Sequence, residues 1–217
     1  MTDTLERETT ILGSYGGEMA LDMVRTIRAA AASRSGDDYR PTLESVYLDG
    51  PQGVAVATDR YTMAIVPLPE GHGLTDAFQV PCDVVTALCK LTVANIRQAA
   101  KTSFAFLELT SCGDTVAATF EVGPSGRVTV TDTVTGTYPR WEQLIPSGSA
   151  DIGTELPAVN ASFLARTVKL GEALGADKAE ITVQLVHAPD LLRATEWTVR
   201  AGRNQARFVQ MPVRIPL

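Results

Sequence analysis

Apolar residues recur three and four apart at Met19, Met23, Ile27 and Ala30. That spacing predicts a helix over about 18–33 with this stripe buried. Arg25 and Arg28 lie three apart, off the stripe. Residues 9–15 read as a short strand ended by Gly16-Gly17, and Ser35-Gly36-Asp37-Asp38 breaks the pattern on the far side. Three strand-like runs follow at 43–48, 54–58 and 61–68, with Asp49-Gly50-Pro51-Gln52-Gly53 as a hairpin turn between the first two. A connection rich in Gly, His and Pro covers 70–76. The sequence then returns to helical spacing over 81–101, where Val84, Val85, Leu88 and Leu91 face inward. Pro81 suits a first helical turn, where its missing N–H costs little. Lys90, Arg97 and Lys101 share another face of that helix. Strands are expected at 104–110, 115–122 and 127–131.

A third round begins at Asn160, a good N-cap. Phe163, Leu164, Val168 and Leu174 are expected to pack, with Arg166 and Lys169 on a different face. Strands at 180–186, 192–199 and 207–215 complete it. The chain therefore reads as one unit used three times, a helix followed by a three-stranded meander, carried by the order of elements and not by matched letters. Ser147-Gly148-Ser149-Ala150 is the best linker. The last run, Phe208, Val209, Met211, Val213 and Ile215, is apolar to the terminus, with Pro212 inside it. Proline cannot donate to a ladder, so the run is an edge strand or has already left its sheet. It either caps a core or, with Arg214, builds one wall of a pocket.

Composition narrows the function classes. The 217 residues are 45% hydrophobic and 20% charged, as in a globular domain. Nineteen Lys and Arg against 25 Asp and Glu give a net charge of −6, so any attraction to nucleic acid must come from one local face. Each predicted helix carries Arg or Lys away from its apolar stripe. Three cysteines without a CxxC or Cys/His pattern, and no signal peptide, point to a reducing, cytoplasmic setting. His72 and His187 sit in no metal-ligand spacing, and no run is long enough to span a membrane. No Ser/His/Asp set, phosphate-cradling glycine loop or spaced carboxylate pair argues for an enzyme. Asp59 and Glu142 read as turn and surface residues. No cofactor is called for.

Three stretches resemble one family. Arg40-Pro41-Thr42-Leu43-Glu44-Ser45-Val46-Tyr47-Leu48-Asp49, followed by Val56-Ala57-Thr58-Asp59-Arg60-Tyr61-Thr62-Met63-Ala64, is similar to the middle domain of the bacterial DNA polymerase III β sliding clamp. Gly136-Thr137-Tyr138-Pro139-Arg140-Trp141 is similar to that family's Gly-x-Phe-Pro-Asp-Tyr segment. Val209-Gln210-Met211-Pro212-Val213-Arg214-Ile215 is close to its Met-Pro-Met-Arg-Leu ending. The resemblance covers nearly the whole chain from about residue 9. It implies an α+β fold of the DNA-clamp type, with repeated helix-plus-meander units and helices on one face of antiparallel sheets.

In that family six units pair into three domains, and two chains close into a ring around duplex DNA with helices lining the hole. The protein is not an enzyme but tethers the polymerase, and partners insert a peptide between the second and third domains. Carried over, the partner-peptide pocket would be Leu43, Thr58, Arg60, Tyr61 and Met63, a floor of Pro139, Gln143 and Leu144, and a wall of Val209, Met211, Pro212, Val213 and Arg214. Candidate DNA contacts are Arg25, Arg28, Lys90, Arg97, Lys101, Arg166 and Lys169, meeting phosphates without reading sequence. Two departures stand out. Arg60-Tyr61-Thr62 replaces the family's Gly-His-Arg, and Gln143 stands where arginine is frequent.

Only three units are present: residues 1–148 as a full domain and 149–217 as half of another. A ring of twelve such units would need four chains, a homotetramer. Duplex DNA and proteins bearing clamp-binding peptides, the polymerase among them, are the implied partners. The alternative is a decoy or adaptor that keeps the pocket without encircling DNA.

Overall fold

The computed structural model describes residues 9–36, 40–90, 105–122, 126–146, 158–175, 177–188 and 193–212. Along the chain run β1 (Thr10–Gly16), α1 (Gly17–Ala30), α2 (Pro41–Glu44), β2 (Val46–Asp49), β3 (Val54–Thr58) and β4 (Thr62–Pro67). Next come β5 (Ala77–Val80), α3 (Cys82–Lys90), β6 (Ala105–Cys112), β7 (Thr115–Val122) and β8 (Arg127–Thr133). The last elements are α4 (Ala161–Ala173), β9 (Ile181–His187), β10 (Thr195–Ala201) and β11 (Asn204–Gln210). The architecture is α+β, with helices packed on antiparallel sheets.

Two sheets form, in the orders β1-β6-β7-β8 and β5-β2-β3-β4-β11-β10-β9. The strand preceding each of the first two helices joins the other unit's sheet: β1 pairs with β6, and β5 with β2. This reciprocal exchange locks units one and two together. Units one and three are joined differently. β4 and β11, the last strands of their meanders, pair antiparallel from Thr62↔Gln210 to Ile65↔Arg207. Beside that seam α1 packs on α4, with α3 against its other side.

The long sheet buries both faces. Ala55, Ala57, Ala64, Val66, Ala206 and Phe208 belong to the core beneath the helices. Val56, Met63, Ile65 and Val209 belong to a second core on the opposite face, with Tyr138 and Trp141. Alternation along the strand sorts the residues, with alanines toward α1 where the helix lies close. Because both faces are covered, β3 and β4 read as unbroken apolar runs. The outer cover is the segment 134–146. Tyr138 stacks on Tyr47 with ring centres 4.9 Å apart, and its hydroxyl donates to the Val56 carbonyl. Trp141 Nε1 donates to Asp49 Oδ2 at 3.3 Å.

Several expectations shift. Residues 41–44 form a helical turn, because Pro41 at its start favours helical backbone, and β2 begins only at Val46. β5 falls in a stretch left without an element. On α4 the buried positions are Thr167, Leu170 and Gly171, while Val168 is 37% exposed. Gly171 lies under Ile181, where a Cβ would come within 2.8 Å of that side chain. The final strand is neither an edge nor continued through Pro212: β11 lies inside the sheet and ends at Gln210. The expected linker at 147–150, and Leu91, Arg97, Lys101, Val213, Arg214 and Ile215, lie outside the described residues.

Candidate functional site

The β3–β4 turn is the centre of the site. Asp59 organises it: Oδ1 accepts the Tyr61 and Thr62 amides at 2.9 and 2.7 Å and the Thr62 hydroxyl at 3.1 Å. Thr58 Oγ1 donates to the Thr62 carbonyl and accepts the Arg60 amide. These bonds hold Arg60 at φ +80°, the only non-glycine residue with positive φ among the described residues. An L-residue there is strained by its Cβ. The family resemblance puts a glycine at this position.

The turn is also gripped from α4. Arg166 Nη1 pairs with Asp59 Oδ2 at 2.6 Å and donates to Thr62 Oγ1 at 2.8 Å. The Phe163 ring stacks on Tyr61 at 5.7 Å. Arg60 lies over Tyr61 at 5.5 Å and Arg166 over Phe163 at 5.2 Å. The stack Arg60–Tyr61–Phe163–Arg166 thus bridges units one and three, and the Met211 amide donates to the Tyr61 carbonyl.

A depression opens beside this stack, lined by Thr58, Arg60, Tyr61, Thr62, Met63, Leu144, Val209 and Met211. Its free volume is only about 10 Å³, room for about one water. Seven of the residues expected in a pocket therefore meet around one depression. Pro139 and Gln143 do not line it. Segment 138–144 docks through Tyr138, Trp141 and Leu144, which leaves Pro139 and Gln143 on the exposed side. Leu43 is buried elsewhere, on α2, where its carbonyl accepts the Ser35 amide. Pro212 is half-buried just beyond the lining.

Asp59, Thr62 and Phe163 are the residues that sequence reasoning missed here. Asp59 carried a legible signal, an Asp three before a Thr at a strand-to-strand turn. Phe163 carried none, since its partner Tyr61 lies about a hundred positions away.

The expected basic face is only partly basic. Glu18, Asp22, Arg25 and Arg28 share the outward side of α1, and Asp22 pairs with Arg25 at 2.7 Å. Arg166, expected on a DNA-facing side, has its charge taken up by Asp59, because α4 lies across the turn. Lys90 and Lys169 are exposed. Arg34 ties α1 to α3 through the Cys82 carbonyl and Thr86. Burial pushes the Cys89 thiol pKa up, against the lowering effect of Arg34 and Arg28. Among the described residues no cluster of His, Cys, Asp or Glu is suited to a metal, and no helix is long and apolar enough to cross a membrane.

No family model and no curated protein matches the sequence. Solved structures do match. The DNA polymerase sliding clamp of Pseudomonas aeruginosa superposes with a TM-score of 0.62 at 17% identity, covering 94% of this chain and 67% of that one. This chain has the sliding-clamp fold. The Bacillus subtilis clamp gives a TM-score of 0.60 at 14% identity, over 100% of this chain and 67% of its own. The DNA polymerase III subunit beta clamp of Bartonella birtlesii, bound to griselimycin, gives 0.63 at 15%, over 99% and 69%. Within that fold, the depression lies where the sheet passes from one unit to another across the β4–β11 seam.

Proposed function

We propose that this chain is a polymerase processivity factor, a sliding clamp assembled from several copies around duplex DNA, and not an enzyme. Residues 1–148 act as a full domain and 149–217 as a further unit. The observation that carries the reading is the β4–β11 seam: it continues one sheet across two units of a clamp fold and ends at the depression around Thr58, Tyr61, Met63, Leu144, Val209 and Met211. An extended peptide with apolar anchors suits that site, with Tyr61 and Met211 moving to admit it. Met63, Leu144 and Val209 supply the apolar walls, and Thr58 and Arg60 the polar groups that fix register.

DNA is held through phosphates by outward cations on the helices. Arg28, Lys90 and Lys169 are the described residues best placed to do this, with Arg97 and Lys101 as further candidates from the sequence. Such contacts tether without gripping base edges, so the complex can slide. With three units per chain and twelve in a ring, four chains close it.

A second reading, a peptide-binding adaptor that does not encircle DNA, is favoured by one observation. Carboxylates occupy two of the cations expected to face DNA, in the pairs Asp22–Arg25 and Asp59–Arg166.

Two measurements decide between these readings. Retention on circular duplex DNA is expected for the intact protein, with each of Lys90→Glu and Lys169→Glu lowering the salt slope of binding by about 0.9. No retention at any salt concentration sinks the tether and leaves the adaptor. Peptide binding, followed by fluorescence anisotropy of a labelled clamp-binding peptide, is expected to weaken about tenfold or more, about 1.4 kcal/mol, in Tyr61→Ala and Met211→Ala. Unchanged affinity in both variants removes the depression as the site.

A further inference from the structure

The chain's own pairing rules identify the surfaces by which copies join. Last meander strands pair with last meander strands, as β4 does with β11, antiparallel and with the helices packed alongside. First meander strands take a neighbour from the companion unit, as β2 takes β5 and β6 takes β1. Both relations are two-fold in character, each unit giving what it receives. Applied throughout, these rules leave two edges unserved. The outer edge of β8, the last meander strand of unit two, has no partner among the described residues. Nor has the outer edge of β9, the first meander strand of unit three.

Those edges also differ in character from the others. β1 is broken by a bulge between Ile11 and Gly13, and β5 is four residues long. Both devices discourage pairing. β8 instead runs Val128-Thr129-Val130-Thr131 and β9 Ile181-Thr182-Val183-Gln184-Leu185-Val186, without Lys, Pro or any charge inside those runs. Exposed apolar groups collect at the same places. Val128 is 53% exposed beside a wholly apolar recess lined by Val84, Leu88, Ala118 and Phe120. Val183 is 37% exposed on β9. On α4, beside β9, Ala161, Ala165 and Val168 form an exposed stripe at helical spacing.

We infer that a second copy of this chain docks at each of these edges: β8 with α3 against the same elements of one neighbour, and β9 with α4 against those of another. Each contact is isologous, so the assembly is a dihedral tetramer of alternating interfaces and not a head-to-tail ring in which β8 meets β9. The number of copies rests on the ring reading above; the edges rest on strand order and exposure. This symmetry places units two and two, then three and three, across successive interfaces, and closes every unguarded edge.

Lysine on an exposed edge strand blocks pairing. The test is the absolute mass of the full chain by light scattering, for the native protein, Val128→Lys, Val183→Lys and the double variant. Four, two, two and one copies are expected. A single variant that drops straight to one copy overturns the scheme in favour of a head-to-tail ring. A native monomer at every concentration, or a tetramer indifferent to both changes, overturns it outright. Circular dichroism and melting curves check folding. Thr131→Lys and Thr182→Lys, at exposed positions on the same strands, replace any variant that melts early. A tetramer that fails to retain DNA leaves these interfaces standing and sinks the tether alone.

Discussion

Arg166 on α4 and Asp59 in the β3–β4 turn meet at 2.6 Å, across more than a hundred residues of sequence. The pair fastens the third unit to the first at the lip of the depression. Its side chains are 25% and 10% exposed, so solvent screens it less than a surface pair. Removing the guanidinium leaves the Asp59 carboxylate with its backbone and hydroxyl donors but without its charge partner. Arg166→Ala is therefore expected to cost roughly 1.5–3 kcal/mol, as for hydrogen bonds to charged groups. A double-mutant cycle with Asp59→Asn, read by urea unfolding, should show a coupling of about 1 kcal/mol or more. Strict additivity would mean that the pair does not hold the junction.

Arg60 tests backbone strain. At φ +80° a β-carbon is unfavourable by about 1 kcal/mol. Arg60→Gly should exceed Arg60→Ala in stability by about that amount in urea melts, because only glycine relieves the φ. Equal stabilities would show that the turn relaxes once the side chain is shortened. The same glycine variant lacks the cation above Tyr61, so its peptide affinity reports that contact separately.

Gly50 lies at the β2–β3 hairpin against the connection leading to β5. A β-carbon there would come within 2.7 Å of the Leu74 carbonyl and 2.6 Å of the Asp76 carbonyl. Backbone on both sides cannot turn aside as a side chain can. Gly50→Ala is expected to cost roughly 1–3 kcal/mol, the range for overpacking, with a matching fall in the denaturation midpoint. A neutral result would show that the connection moves freely.

Tyr15 links stability to alkaline pH. Its hydroxyl is buried without a hydrogen-bond partner, and burial pushes its pKa up to about 12 from 10.0. The folded pKa lies above the unfolded one, so stability is fully present below pH 10 and falls as pH rises toward 12. Tyr138, also raised by burial, contributes in the same sense. Tyr15→Phe should raise stability at pH 7 by about 1 kcal/mol, by removing an unsatisfied polar group. It should also flatten the decline between pH 9 and 11, although Tyr138 keeps part of it. Melting curves across that range decide, and a parallel decline in both proteins would show that Tyr15 is not the group responsible.

The sequence by itself determined the elements. Helical spacing at Met23, Ile27 and Ala30 located α1, and the turn at 49–53 separated β2 from β3, because periodicity and turn chemistry act over a few residues. The order of elements, helix then meander three times over, was legible for the same reason. So were Thr58, Tyr61, Met63, Leu144, Val209 and Met211 as a set, through their resemblance to one family. What only the tertiary structure decided lies between elements. The strand exchange of β1 and β5, the β4–β11 seam and the burial of both faces of the long sheet depend on which edges meet. An apolar run such as Val54-Ala55-Val56-Ala57 is compatible with more than one answer. Leu43, Pro139 and Gln143 left the depression because of a proline-started turn and the docking of two aromatic rings. Arg166 looked like one more solvated cation on a helix face. It became a junction residue because packing α4 against α1 brought its guanidinium to Asp59, and the attraction between two charges depends on their distance in space, which separation along the chain does not encode.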